Sequence, residues 1–468
     1  MVLAKGYGVR KLGEPTPVDE ETLFAIASCS KAFTTAALAM LVDEGKIDWD
    51  DPVIDHLPGF RLHDPYVTGE ITIRDLVTHR SGLGLGGGDL LWLRSDYTRD
   101  EIVQRIRFLE PTSSLRSRFA YQNVMFLVAG QVIPAVTGKS WDEFIAERIF
   151  EPLRMRSANT SVTGLEPGGN WATPHLPVGE QVRAIAYDNV DNVGPAGSIN
   201  ASVADLTKWL RLQLSLGRIG EKRLYSEEAA REMWSPQTII PIQDPPPPLA
   251  ALKPTFSAYG LGWGLRDYRG RKLVSHTGGL AGMTSMTTLV PSETLGIVVL
   301  TNQETSLYAA LTYRILDAYL GVPATDWTAA HLEARKLRER KAAEEVAAIQ
   351  AKRVQETAPS LPLSSYTGDY RDAMYGDATI EEQDGGLRLR FTKSPPFQAQ
   401  LEHWHYDTFV ARWGHHSIPD AFVTFSLNPD GSIAEFKMKA LSPLADFSYD
   451  YQDLLFRPVP SSETPRHQ

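Results

Sequence analysis

Two hydrophobic periods run along the chain, and the switches between them predict its elements. The opening Val2–Val9 reads as a strand. Ala and Leu then recur at helix spacing over Ser28–Glu44, with Gly45 as the stop. A helix is predicted from Thr72, where Thr72-Ile73-Arg74-Asp75 has the form of a capping box, to just before Ser81-Gly82. Asn123–Val136 is apolar on most faces and predicts a buried helix, whereas Ser140–Phe150 is amphipathic, with Trp141, Phe144, Ile145 and Ile149 on one side. Ser202-Val203-Ala204-Asp205 is a further capping-box pattern, opening a helix through Leu216 that Gly217 ends. Pro245–Pro248 predict a surface loop of polyproline character. Beyond it Tyr259–Leu265, Lys272–His276, Met283–Val290 and Gly296–Leu300 read as strands between Gly and Pro turns.

The pattern changes near Trp327. Ala329–Glu356 is almost wholly Ala, Glu, Lys, Arg, Leu and Gln, which predicts a long charged helix with a thin apolar stripe, ended by Pro359 and Pro362. Its heptads are irregular, so a solvated connecting helix is expected and not a coiled-coil partner site. From Tyr366 to Phe456 the period is that of strands: Leu387–Phe391 alternates, and Val423–Leu427 and Ile433–Met438 flank the turn Asn428-Pro429-Asp430-Gly431. The chain thus divides into a mixed region over 1–325, a charged helical linker over 326–358, a β domain over 359–458 and a tail over 459–468. The fold class is α/β in the α+β sense, followed by a small all-β domain, and no solenoid-type repeat is present.

Composition narrows what such a chain does. Hydrophobic residues are 43% and charged residues 22% of 468, the balance of a globular protein and not of a disordered or fibrous one. The net charge of −10 lacks the basic field that nucleic acid or an anionic membrane would attract. The single cysteine, Cys29, excludes an internal disulfide framework and a cysteine-based zinc knot. Met1–Gly8 has no charged and then apolar leader, and the longest apolar stretches are too short to span a bilayer. The chain as written reads as cytoplasmic; a start further upstream would allow a periplasmic or secreted protein.

Neither G-x-S-x-G nor H-E-x-x-H occurs. Instead Ser28-Cys29-Ser30-Lys31 stands at a helix start. Positions i and i+3 share a helix face, placing the lysine amine beside the serine hydroxyl, which is a weak nucleophile until a base takes its proton. The helix N-terminus favours the developing alkoxide. Tyr-x-Asn occurs as Tyr121-Gln122-Asn123, directly before the buried helix, and as Tyr187-Asp188-Asn189 in a polar stretch. A tyrosine near an ammonium can shuttle a proton, and an asparagine two residues on can donate to a substrate carbonyl. The rigid setting favours Tyr121 and Asn123, with Tyr187 an ordinary loop residue. His276-Thr277-Gly278-Gly279 follows a strand; its glycines let a substrate lie along the strand, with a backbone N–H facing the carbonyl oxygen.

In this order the motifs resemble those of the serine hydrolases related to class C β-lactamases and DD-peptidases. Phe24–Thr34, Ile71–Leu83, Ile149–Leu153 and Pro195–Gly197 through Leu206 extend the likeness over roughly residues 1–320. The C-terminal region resembles the lipocalin-like, barrel-like domain often appended to such enzymes. The resemblance implies a β-lactamase/transpeptidase-like antiparallel sheet flanked by helices, with a helical subdomain. It also implies an acyl-enzyme on Ser28, Lys31 as proton acceptor or electrostatic helper, and Tyr121 as general base and acid. Substrate would be bound by Asn123, His276, Thr277 and Gly278, with the N–H groups of Ser28 and Gly279 as oxyanion hole. No metal or cofactor is implied. The partners would be a small-molecule, peptide or ester substrate, with self-association into a homo-oligomer left open.

Two departures shape the expectation. Many β-lactamases of this kind carry lysine where His276 stands; histidine there tilts the reading toward DD-peptidase, D-aminopeptidase-like or small-ester hydrolysis and away from β-lactamase activity. A histidine can still be protonated near or below pH 6.5. Relatives usually also have a helix and a strand before the segment matching Val2–Gly8, so a vacancy inside the main sheet, and a true start upstream, are expected. The alternative from another class is a catalytically silent peptide-binding protein. Of the remaining features, His403, His405, His415 and His416 read as surface or packing histidines and not a metal site. Trp92, Trp171 and Trp263 read as core at least as readily as cleft, and Cys29 as a buried small residue.

Overall fold

The computed structural model describes residues 1–166, 168–179 and 181–460, so the expected tail from 461 onward lies outside the described residues. The chain forms two compact units: Met1–Gly84 with Pro111–Arg335, and Leu85–Glu110 with Lys336 onward.

In the first unit, strand β1 (Phe24–Ala25) pairs with β2 (Asn200–Ala201), and a tight helical turn over Ala27–Ser30 leads into α1 (Lys31–Asp43). Almost every α1 residue is buried, so this helix is the core of the unit and not an amphipathic surface element. Phe33 stacks on Trp209 with ring centroids 3.9 Å apart. Around it pack α2 (Ile73–Leu76), α3 (Asn123–Thr137), α4 (Trp141–Ile145) and α5 (Val203–Leu214). The Thr72–Asp75 capping box forms in both directions. Ser202 caps α5 by accepting from the Asp205 amide, but the reciprocal bond is absent: the Asp205 carboxylate instead accepts from the Ser157 and Ala158 amides. The predicted capping box is therefore a simple N-cap.

The main sheet is six-stranded and antiparallel, with β3 (Thr238–Ile239), β4 (Ser257–Tyr259), β5 (Gly264–Tyr268), β6 (Arg271–Leu280), β7 (Met283–Val290) and β8 (Leu295–Thr301) adjacent in that order. The expected strand Tyr259–Leu265 is a hairpin. Gly262 lies at φ +75°, and a Cβ on Gly260 would sit 2.4 Å from the Met233 carbonyl, so the chain turns there. The sheet has no interior vacancy: its strands are contiguous, with β8 and β3 at the edges. Val2–Val9 forms no strand. Gly8 is at φ +73°, Val9 makes one isolated bridge to Pro17, and the apolar side chains of Val2 and Leu3 are exposed. The Pro245–Pro248 stretch turns into a short helical segment over Pro247–Leu252. Helices α6 (Leu307–Tyr319) and α7 (Trp327–Ala351) follow, α7 being the charged helix.

In the second unit, eight strands close into a barrel: β9 (Gly368–Asp372), β10 (Gly376–Gln383), β11 (Gly386–Phe391), β12 (Gln398–His405), β13 (Thr408–Trp413), β14 (Ala421–Leu427), β15 (Ile433–Ala440) and β16 (Leu455–Pro458). Aromatic rings fill its inside; Tyr366, Phe409, Phe425, Phe436 and Phe456 meet at centroid distances of 4.7 to 5.8 Å. Segment 85–110 is fixed within this unit by Asp450, whose carboxylate accepts from the amides of Gly88 (2.6 Å) and Leu90 (2.9 Å) and from the Tyr375 hydroxyl.

Helix α3 is pressed onto the Gly194–Gly197 turn, whose carbonyls serve α1: Thr34 donates to the Pro195 carbonyl at 2.7 Å. Only glycine fits at position 130, because a Cβ there would lie 2.2 Å from Pro195 Cγ. Gly130→Ala should therefore destabilise the first unit by about 1–3 kcal/mol through overpacking, read as a lower urea midpoint at unchanged m-value.

Candidate active site

The site is built where α1, α3, the Gly194–Gly197 turn and strand β6 meet. Ala27, at φ +48°, swings the chain from β1 into the helical turn, so Ser28 leaves the strand at a strained corner. Strand β6 passes close behind it. A Cβ on Gly278 would lie 2.1 Å from the Ile26 carbonyl and 2.4 Å from Ser285 Oγ, so only glycine permits this approach. At Gly279 a Cβ would meet nothing within 4 Å, and the strand faces open space there. The His276–Gly279 motif lies within the strand, paired with Thr284–Thr287, and not in a turn after it.

Lys31 is completely buried. Its Nζ donates to Ser28 Oγ at 3.1 Å, Asn123 Oδ1 at 2.7 Å and the Ala196 carbonyl at 2.9 Å. Nζ also lies 4.8 Å from the centre of the Tyr121 ring. Two of the three sequence motifs, joined by the Gly194–Gly197 turn, thus converge on one nitrogen. The carbonyl oxygens of Asn123 and Ala196 can only accept, so each takes one Nζ hydrogen. Ser28 Oγ, at 3.1 Å, is within reach of the same nitrogen, so a proton can pass directly between serine and lysine.

His276 is also buried, and both ring nitrogens are used inside the protein. Nδ1 donates to the Thr277 carbonyl at 2.6 Å, which leaves Nε2 to accept from Tyr259 Oη–H at 2.8 Å. Burial, reinforced by Lys31, pushes its pKa down to about 3. The expectation of an imidazolium near pH 6.5 is corrected: the ring is neutral across the physiological range. Two residues that the motifs do not mark also belong to the site: Tyr259, through this bond, and His79, whose ring lies 4.2 Å from that of Tyr121. His79 sits within the Ile71–Leu83 likeness, the one sequence signal for it.

The other candidates lie elsewhere. Tyr187 donates to the Ala172 carbonyl at 2.7 Å, and Asn189 accepts from the Asp191 amide, so the second Tyr-x-Asn braces a loop. Cys29 is buried against β6 and β7, its Sγ 3.3 Å from the His276 carbonyl and 3.4 Å from Ser285 Oγ; burial pushes its thiol pKa up. Trp263 is core, Trp171 donates to the Glu166 carbonyl, and Trp92 donates to Asp89 in the second unit. His403, His405 and His415 each bond to a neighbouring loop, and among the described residues no group of three or more His, Cys, Asp or Glu is placed to hold a metal ion. No helix among them is long and apolar enough to cross a membrane.

An antiparallel sheet flanked by helices, with a serine at a strained helix start and a buried lysine beside it, defines a serine hydrolase of the β-lactamase and penicillin-binding protein class. The family described as Beta-lactamase matches residues 1–320, and the chain belongs to it. A domain of unknown function, DUF3471, matches 352–458. The chain is 31% identical to "Unguisins hydrolase ungD'" of Aspergillus campestris over 80% of its own length and 71% of the relative's. It is 26% identical to "Penicillin-binding protein 4" of Amycolatopsis lactamdurans over 67% of its length and 82% of the relative's. Among solved structures, an octameric penicillin-binding protein homologue from Pyrococcus abyssi superposes with a TM-score of 0.62 at 21% identity, covering 94% of this chain and 91% of that one.

The neutral imidazoles carry a pH signature. Burial holds the pKa of His79, like that of His276, well below its ordinary 6.5. The unfolded chain therefore binds more protons below about pH 6.5, and stability falls as pH drops from there toward 3, by at most about 1.4 kcal/mol per unit for each ring. Replacing one ring, as in His276→Gln, should make the fall in unfolding free energy between about pH 6 and 4 visibly shallower; an unchanged slope would contradict the neutral assignment.

Proposed function

We propose that this protein cleaves amide or ester bonds through an acyl-enzyme on Ser28. The observation that carries the reading is the buried Lys31 nitrogen, held by Asn123 and the Ala196 carbonyl with Ser28 Oγ 3.1 Å away. In the first step Lys31 takes part as its amine: Oγ attacks the carbonyl carbon while its proton passes to the Lys31 nitrogen, with the oxyanion held by the N–H groups of Ser28 and Gly279. The same proton returns to Oγ when the acyl group leaves. Tyr121 then delivers a proton to the leaving amine or alkoxide as the carbonyl re-forms. Water attacks the ester with Tyr121 as base, and the acid is released with Ser28 restored. Gly278 allows the substrate to lie along β6, where Thr277 and the Asn123 amide bind it. The hydrolase name of the 31% identical relative supports this class of reaction.

Within the class, peptide amides and small esters without a carboxylate next to the scissile bond are the favoured substrates, of the D-aminopeptidase-like kind, ahead of DD-peptidase substrates, whose terminal carboxylate adjoins that bond. His276 supports this ranking because a neutral ring with both nitrogens engaged offers no charge to a substrate carboxylate. β-Lactams, which carry such a carboxylate, rank lower.

Incubation with a fluorophosphonate should give one covalent adduct by intact mass on the wild type and none on Ser28→Ala; an equal adduct on both variants would refute the acyl-enzyme reading. Tyr121→Phe should slow ester turnover by about 100- to 10,000-fold at an unchanged fold. In a panel of D-peptide amides, p-nitrophenyl esters and a chromogenic cephalosporin, His276→Lys should shift relative kcat/KM toward the cephalosporin. No shift would show that this position does not set the preference.

A further inference from the structure

His79 holds the chain on both sides of Tyr121. Its carbonyl accepts from the Ala120 amide at 2.9 Å, and its Nδ1 accepts from the Gln122 amide at 3.0 Å. One residue therefore binds the backbone on both sides of Tyr121. Its ring covers the Tyr121 ring at 4.2 Å and 35°, and packs against Phe119, Phe126 and Tyr259 at 4.5 to 5.6 Å.

The fold pays for this arrangement twice. His79 stands at φ +57°, a left-handed conformation that a non-glycine residue adopts at a cost of about 1–2 kcal/mol. Because Nδ1 is an acceptor, the proton sits on Nε2, and this fully buried nitrogen has no hydrogen-bond partner among the described residues. The turn is nonetheless held firmly. Asp75 binds Arg80 at 2.6 Å and Arg116 at 2.7 Å, and the Arg116 amide donates to the Arg80 carbonyl. Strain and an orphan donor kept in place at such a point indicate a requirement other than stability. The ionisable groups around the ring are Lys31, His276, Tyr121 and Tyr259. A neutral ring adds no positive charge beside Lys31.

We infer that His79 is the positioning residue of the site: it holds the Tyr121 phenol in line with Lys31 and Ser28. This rests on the assignment of proton transfer to Tyr121 made above. It separates two contributions. The Nδ1 acceptor sets the backbone of the Tyr121-Gln122-Asn123 segment, and the ring face sets the angle of the phenol.

The test is a double-mutant cycle in p-nitrophenyl ester hydrolysis, with fluorophosphonate labelling of Ser28 alongside. His79→Asn keeps an acceptor near the Nδ1 position and tolerates left-handed backbone, but removes the ring. His79→Phe keeps a ring and removes the acceptor. In the wild-type background each should lower kcat by about 100-fold with KM changed less than about threefold, as a misplaced catalytic group does. In the Tyr121→Phe background the same substitutions should cost less than about threefold, because the group they position is already gone. A full loss in both backgrounds, or no loss in either, overturns the proposal; so does failure of both variants to fold, which would make His79 a stability residue. If the wild type itself labels no Ser28, the functional reading falls and this inference with it. A labelled wild type whose His79 variants behave additively with Tyr121→Phe removes the inference alone.

Discussion

A single buried lysine organises the first unit. An isolated charge so far from water would cost many kcal/mol, so its neighbours must supply the missing solvent. Lys31 finds this in two fixed carbonyl oxygens and one hydroxyl. These acceptors come from segments far apart in sequence: the start of α3, the Gly194–Gly197 turn and the residue one helical turn before it. Packing α1 as a wholly buried helix, seating Pro195 on Gly130 and threading β6 past Ile26 at Gly278 are the conditions under which those oxygens reach one nitrogen. The chemistry and the core are therefore the same construction.

The second constraint is neutrality around that charge. His79 and His276 are ring systems that could compete with Lys31 for positive charge, and both are held uncharged by burial and by the proximity of Lys31. His276 spends its two nitrogens on Thr277 and Tyr259, and His79 spends Nδ1 on the Gln122 amide. Lys31 stands in a neutral, largely aromatic wall, a setting that strengthens its influence on the serine and the tyrosine hydroxyls.

Much of this was legible in the sequence. The helices over Lys31–Asp43 and Asn123–Thr137 and the strand Met283–Val290 follow from local periodicity, and the Thr72 box from four adjacent residues. Ser28, Lys31 and Asn123 meet as their motifs suggest. What failed depended on partners or on single dihedrals. Val2–Val9 has the composition of a strand, but a strand needs a neighbour, and among the described residues it finds only the single Val9–Pro17 bridge. Tyr259–Leu265 alternates well, yet a left-handed Gly262 folds it into a hairpin. Asp205 turned from its cap to amides about 47 residues away. The roles of His79 and Tyr259 were invisible because they arise from contacts to residues 17 to 43 positions distant. The membership of Leu85–Glu110 in the second unit depends on Asp450, some 360 positions along the chain.

In the proposed reaction Ser28 is activated by the Lys31 amine, and this activation sets how fast Ser28 reacts. It is tested most directly by the second-order rate of Ser28 phosphonylation, followed by intact mass, in the wild type and in Lys31→Met. Methionine keeps the length of the buried side chain and removes the amine. The account predicts a rate lower by at least about 100-fold in a variant with wild-type circular dichroism. Equal rates within about threefold would contradict it.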